Sequence, residues 1–248
     1  MIKATLIDHM GSDLSVVNAA RVSFGKKSDP IAWLDYEYED GSRSGDLIAV
    51  LDDRDNKLIR YLAKHKHLSP FGHAFASFHV KAPIFVARQL VKHKFLRWNE
   101  ISRRYVDEEP EFYVPDVWRG RSADKKQGSE GVVDLEAINS WGDPYEGRFG
   151  EATLGEIVYE EAQEISYSYD LLIKAGVAPE QARMVLPQST MTEWYWSGSL
   201  DAFAAMCKLR CASDTQYESR VVADQISKNM LELFPVSWEA LMKGQDDE

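Results

Sequence analysis

Apolar and polar positions recur along this chain with periods that change from segment to segment. The opening KATLID is a short apolar run and predicts a buried strand. In DLSVVNAARVSF, the residues Leu14, Val17 and Ala20 share a helical face. The stretch 28–50 is polar and Gly-containing, shows neither period, and reads as loop. DNKLIRYLAKHKH sets Leu58 and Ile59 beside Leu62 and Ala63, a one-faced helix that ends before Ser69-Pro70. HAFASFHV alternates and is rich in Phe and Val, so it predicts a strand. Pro83 fits the first turn of the helix expected over PIFVARQLVKH.

Segment 107–150 breaks this regularity. It contains DEEPE, RGRSADKKQGSEG and WGDPYEG and reads as a polar surface excursion, partly ordered. From Leu154 the helical period returns through Ile157, Val158, Ala162, Ile165, Tyr169, Leu172 and Ile173, closed by Gly176. APEQARMVLP predicts a short helix between two prolines, and LDAFAAMCKLRCA predicts another. DTQYESRVVADQISKNMLELF predicts a long one, with Asp214 as its expected N-cap and Pro235 beyond its end. The tail KGQDDE is expected to fray. No stretch separates two halves, so the pattern predicts one α/β domain with a helical C-terminal half.

The 248 residues carry 44% hydrophobic residues and 11% aromatics, enough for a sizeable core. The sequence has no apolar run long enough to span a membrane, and MIKATLIDHMGSDLS has neither the basic flank nor the cleavage site of a signal peptide. A cytoplasmic compartment is expected. Cys207 and Cys211 lie four apart on one helical face, a poor disulfide pair and an incomplete metal site. The clustered His65, His67, His73 and His79 fit no zinc spacing either, so no metal is expected. Trp194, Tyr195 and Trp196 read as core or subunit-contact aromatics. The net charge of -11 argues against general nucleic-acid binding.

Against that acidic background, residues 88–105 gather Arg88, Lys92, Lys94, Arg97, Arg103 and Arg104 around Glu100 alone. Arg forks onto phosphate oxygens and Lys acts as a point charge, so a pocket for a small anion is one reading. A solvated basic helix face is the other, and charge alone favours it. Phe95, Leu96, Trp98 and Ile101 interleave with the polar residues, so part of the stretch is buried and its polar groups need partners. Asn99, Glu100 and Ser102 could read a base or sugar edge, and His93 could stack or donate.

The ordered string RQLVKHKFLRWNEISRRY resembles the signature of the flavin-dependent thymidylate synthases: a basic-His-basic triplet, seven residues, then Ser. Here these are Lys92-His93-Lys94 and Ser102. DLSVVNAARVSFGK, HLSPFGHAFASFHVKAPIFVARQ, ARMVLP and KLRCASDTQYE resemble further segments of that family, in its order, so the likeness covers most of the chain outside 107–150.

The resemblance implies a single α+β domain over 1–248 with a central mixed or antiparallel sheet. It implies an enzyme that methylates dUMP to dTMP, with 5,10-methylenetetrahydrofolate as carbon donor and NADPH reducing through FAD. It implies a homotetramer with active sites shared between subunits and no nucleic-acid or membrane partner. Carried over residue by residue, Ser69, Lys92, His93, Lys94, Asn99, Glu100 and Ser199 fall where the family holds FAD. Gln89, Lys92, Glu100, Ser102, Arg103, Arg104, Arg183 and Arg210 fall where it holds dUMP. His67 lies beside the flavin ring and folate, and Arg210 takes the place of the arginine that polarises the uracil. The resemblance implies that Arg210, Ser102 and His67 form the catalytic group, with Ser102 expected to be a hydrogen-bonding residue and not a nucleophile.

Three departures stand out. The family's usual triplet is Arg-His-Arg; Gly72 stands where a carboxylate is common; Ser199 and Asp201 replace an Asn and an Arg. An enzyme forming hydroxymethyl-dUMP, or a non-catalytic nucleotide or nucleic-acid binder on the same fold, would share the same motifs.

Overall fold

The structure, a computed structural model, describes residues 1–37, 43–106, 108–123, 128–133 and 153–243. Strand β1 (Lys3–Met10) turns Ala4 and Leu6 into the core. Helix α1 (Asp13–Arg21) buries Val16 and Val17 completely, and Ser12 caps it through a backbone bond to Ser15 Oγ at 3.1 Å. Strands β2 (Ala32–Glu37) and β3 (Arg43–Val50) then pair antiparallel as a hairpin. This corrects the loop expected over 28–50. The hairpin leaves Ile31, Trp33 and Leu34 all exposed, so consecutive apolar residues face solvent and no one-sided alternation marks the strands.

Helix α2 (Asp53–Lys64) is capped by Asp52, which accepts from Asp55 N at 2.8 Å, and buries Ile59 and Leu62 as their spacing predicts. Strand β4 (Phe75–Pro83) alternates buried and half-exposed residues along its length. Pro83 ends it and is the N-cap of α3 (Ile84–Leu90), one position earlier than expected. Strand β5 (Arg97–Glu100) follows the turn at 91–96.

Two short strands, β6 (Arg119–Arg121) and β7 (Ser129–Val132), pair within the polar excursion. Its described part is fastened to the body. Tyr113 N donates to Ser189 O at 2.8 Å, Met191 N to Glu111 O at 2.7 Å, and Arg119 pairs with the buried Glu218. Residues 134–150 of that excursion, and the tail beyond 243, lie outside the described residues.

Helix α4 (Leu154–Lys174) starts at a capping box between Thr153 and Glu156 and stops at Gly176, whose φ of 84° is the left-handed turn glycine allows. The short α5 (Pro179–Ala182) is followed by strand β8 (Met191–Ser199), then α6 (Leu200–Arg210), α7 (Tyr217–Leu233) and α8 (Pro235–Met242). Gln216, not Asp214, is the N-cap of α7. Pro235 opens α8 at its first position, where a missing N–H costs nothing. The buried Asp13 carboxylate holds that start by accepting from Val236 N and Ser237 N at 2.9 Å each.

The central sheet runs β1-β4-β8-β5, every pair antiparallel. One face carries Phe78, Val80, Trp194 and Trp196, all essentially buried, and packs on α6 and α7. The opposite face carries His79 and the half-exposed Tyr195, their rings 5.6 Å apart. The basic segment therefore forms the end of α3, a turn, and the edge strand of this sheet.

Candidate active site

The turn after α3 is set by two backbone bonds, His93 N to Leu90 O at 3.1 Å and Leu96 N to His93 O at 3.2 Å. Leu96 is its buried anchor and sits over Gly198, where a Cβ would lie 2.4 Å from Leu96 Cδ2. Glycine at 198 is thus what lets this turn come down onto β8. Beyond it, Trp98 stacks on Trp194 with centroids 4.3 Å apart and planes at 19°. These contacts explain how a segment so rich in cations folds: Leu96 and Trp98 go in, while Lys92, Lys94, Phe95, Arg97 and Asn99 stay out.

His93 is half-buried between Trp196, whose ring centroid is 6.2 Å away, and Arg210. Arg210 Nε donates to His93 Nε2 at 3.1 Å, across 117 residues of sequence. Burial first, and the neighbouring Arg210 charge second, push the His93 pKa down to about 4, so the imidazole is neutral at physiological pH. Burial also lowers the pKa of Arg210. Among the described residues no carboxylate pairs with Arg88, Lys92, Lys94, Arg97, Arg103, Arg104 or Arg210. A cluster of cations left without counter-charge in an acidic protein is suited to anionic ligands.

The other predicted residues fall nearby or on separate patches. Glu100 accepts from Thr192 Oγ1 at 2.7 Å and from Trp98 Nε1 at 3.1 Å. Ser102 Oγ accepts from Arg104 Nε at 3.1 Å, and Arg103 donates to Glu108 O at 2.6 Å. Gln89 lines a cavity of about 670 Å³ with Phe85, Tyr113, Trp118, Arg119 and Glu218, and its Oε1 is buried with no partner among the described residues. His67 and Ser69 are exposed beyond the end of α2, where His67 faces Tyr61 and His65 at ring distances of 6.1 and 6.3 Å. Ser199 is the N-cap of α6 and pairs with Phe75, at the opposite end of that helix from Arg210. Arg183 is exposed after α5 and donates to Glu180 O at 3.3 Å.

The sequence matches the family model described as thymidylate synthase complementing protein over residues 5–236. A flavin-dependent thymidylate synthase from Thermus thermophilus is 36% identical over 236 residues, spanning 95% of this chain and 73% of that protein. The chain belongs to the flavin-dependent thymidylate synthase family. The family member from Thermosipho melanesiensis is 35% identical over 96% of this chain and 89% of its own length. The crystal structure of the UMP/dUMP methylase PolB from Streptomyces cacaoi, bound with 5-Br dUMP, superposes with a TM-score of 0.71 at 30% identity, covering 97% of this chain and 94% of that one.

Within this family member, one chain brings His93 and Arg210 together and flanks them with Lys92 and Lys94. It does not gather His67, Ser69 and Ser199 with Arg210, nor Arg183 with the basic segment, in any hydrogen bond among the described residues. Two groups escaped the sequence reading. Arg119 and Tyr113 lie in a segment whose polarity reads as surface, yet they line the Gln89 cavity with Glu218. The structure and not the sequence marks their partner: Glu218 is buried beside the fully buried Ser219 and Val222. At the three departures, Lys92 and Lys94 are exposed, Gly72 has open space where a Cβ would go, and Asp201 Oδ1 is buried without a partner among the described residues.

Proposed function

We propose that this chain converts dUMP to dTMP by reductive methylation at C5, with 5,10-methylenetetrahydrofolate as carbon donor and NADPH as reductant through bound FAD. Family membership supports the flavin and the reaction class. The observation that carries the site is Arg210: a half-buried guanidinium with no carboxylate partner among the described residues, held against a neutral imidazole beside two exposed lysines.

Lys92, His93 and Lys94, with Ser69, Asn99, Glu100 and Ser199, would hold FAD, and the uncompensated cations fit its pyrophosphate. When bound, the flavin supplies the redox chemistry. Gln89, Ser102, Arg103, Arg104 and Arg183 would seat dUMP, the arginines taking its phosphate and the buried Gln89 amide a directional contact. Arg210 lies against the uracil, where its charge stabilises the electron density that builds as C5 becomes nucleophilic. His67 stands at the folate side. Ser102 Oγ already accepts from Arg104 and has no hydrogen-bonded base among the described residues, which fits a hydrogen-bonding role. Burial pushes the Cys207 thiol well up, so it is a poor attacking group at C6.

The active unit is a homotetramer with sites built between subunits. Two observations support this: the proposed ligand contacts lie on separate patches of one chain, and large apolar side chains stand exposed among them. Phe95 is 86% exposed, Met184 79% and Tyr105 77%. The purified protein should be yellow, and NADPH should bleach its visible absorbance faster with dUMP present. A colourless protein that takes up no added FAD would overturn the reading.

A further inference from the structure

We propose that His93 is the positioning residue for Arg210: its imidazole Nε2 accepts the guanidinium Nε–H, aims the terminal NH2 groups at the pyrimidine, and leaves the positive charge unspent. This rests on the reading that Arg210 meets the uracil of dUMP.

The two side chains are fixed from opposite directions. Arg210 is the last residue of α6, whose Leu200, Phe203, Met206 and Cys207 are completely buried, so the helix has no freedom to shift. His93 is held by its backbone bond to Leu90 O and by the edge contact with the fully buried Trp196. The 3.1 Å bond joins them. A guanidinium offers five N–H donors in one plane. With Nε engaged, its outer edge still presents the paired donors that could converge on a pyrimidine carbonyl oxygen.

The identity of the partner matters. A carboxylate at this point would orient Arg210 equally well but would cancel its charge, and with it the field on the substrate. A neutral imidazole orients without cancelling. Accepting at Nε2 requires the proton on Nδ1, so the same ring keeps one donor free on its other side. The depressed basicity of His93 agrees with this neutral form. His93 thereby couples the triplet that would hold the flavin to the residue that would polarise the nucleotide.

The test compares His93→Leu, which removes the acceptor, with His93→Gln, whose Oε1 can reach the position of Nε2. His93→Leu should lower kcat for dTMP formation by about 10²-fold, the scale of one displaced transition-state donor, with KM for dUMP changed far less. His93→Gln should restore most of the loss. In the flavin-free protein, ¹⁵N spectra of labelled histidine, assigned with His93→Gln, should show Nε2 unprotonated and Nδ1 protonated, and Arg210→Ala should shift the Nε2 signal. Turnover of His93→Leu within twofold of the parent, or a protonated Nε2, would overturn the proposal. If His93→Leu fails to hold flavin, the tautomer measurement decides alone. Arg210→Ala separates the two claims: near-normal turnover there refutes the role of Arg210 itself, whatever His93 does.

Discussion

Breaking the Arg119–Glu218 pair should loosen the excursion that closes the Gln89 cavity. Glu218 has 6% of its side chain exposed and Arg119 has 24%, so this is a nearly buried carboxylate facing a partly wet cation. Exposed pairs contribute up to about 1 kcal/mol, whereas removing one partner of a buried pair costs about 3–5 kcal/mol. Because water reaches Arg119, the lower end applies, and Arg119→Met should destabilise by about 3 kcal/mol. Glu218→Gln should cost less, about 1.5 kcal/mol, because the remaining cation is partly solvated and lies 4.4 Å from the Tyr217 ring centre. The double variant should lose only about 2.5 kcal/mol, a coupling of about 2 kcal/mol. Urea unfolding of all four proteins at one protomer concentration measures the cycle, with dUMP affinity read in parallel, since Gln89 shares the cavity. Additive losses within about 0.5 kcal/mol would refute a direct interaction.

Other perturbations follow from single positions. Lys66 has φ 56° and closes α2, with His67 N donating to Leu62 O at 2.9 Å; Lys66→Gly should stabilise by about 1 kcal/mol in urea unfolding, and a loss would contradict the left-handed turn. Gly198→Ala forces Leu96 aside and should cost about 1–3 kcal/mol; flavin uptake should weaken with it, as a FAD titration would show. Tyr113 is pushed up to about 12, chiefly by burial and then by Glu218. Its phenol therefore keeps its proton in the folded chain after the unfolded chain has lost it near 10. The stability it contributes is intact below pH 10 and is lost as pH rises through about 12. Unfolding free energies measured along an alkaline series should fall more steeply for the parent than for Tyr113→Phe.

The sequence revealed elements wherever one face alone was apolar. Leu58, Ile59 and Leu62 announce α2, and Thr153 with Gly176 bounds a helix whose period is unbroken between them. It concealed elements whose pairing is decided elsewhere. Arg97 to Glu100 have no strand pattern of their own and become a strand because β8 offers them an edge and Trp98 a stacking partner. The strand Ala32–Glu37 exposes Trp33 and Leu34 together, and Pro235, beyond the end of α7 as expected, also starts α8. Motif order marked His93 and Arg210 separately; their contact spans 117 residues and follows from α6 ending beside the turn after α3. Arg119 was invisible as a site residue because its partner lies 99 residues away.

The most direct test of the proposed chemistry is the mass of the product. Purified protein incubated with dUMP, methylenetetrahydrofolate, NADPH and FAD should yield a nucleotide heavier than dUMP by one methylene unit, identical to dTMP on chromatography. A product carrying hydroxymethyl, or dUMP recovered unchanged from a protein that binds it and holds flavin, would contradict the account.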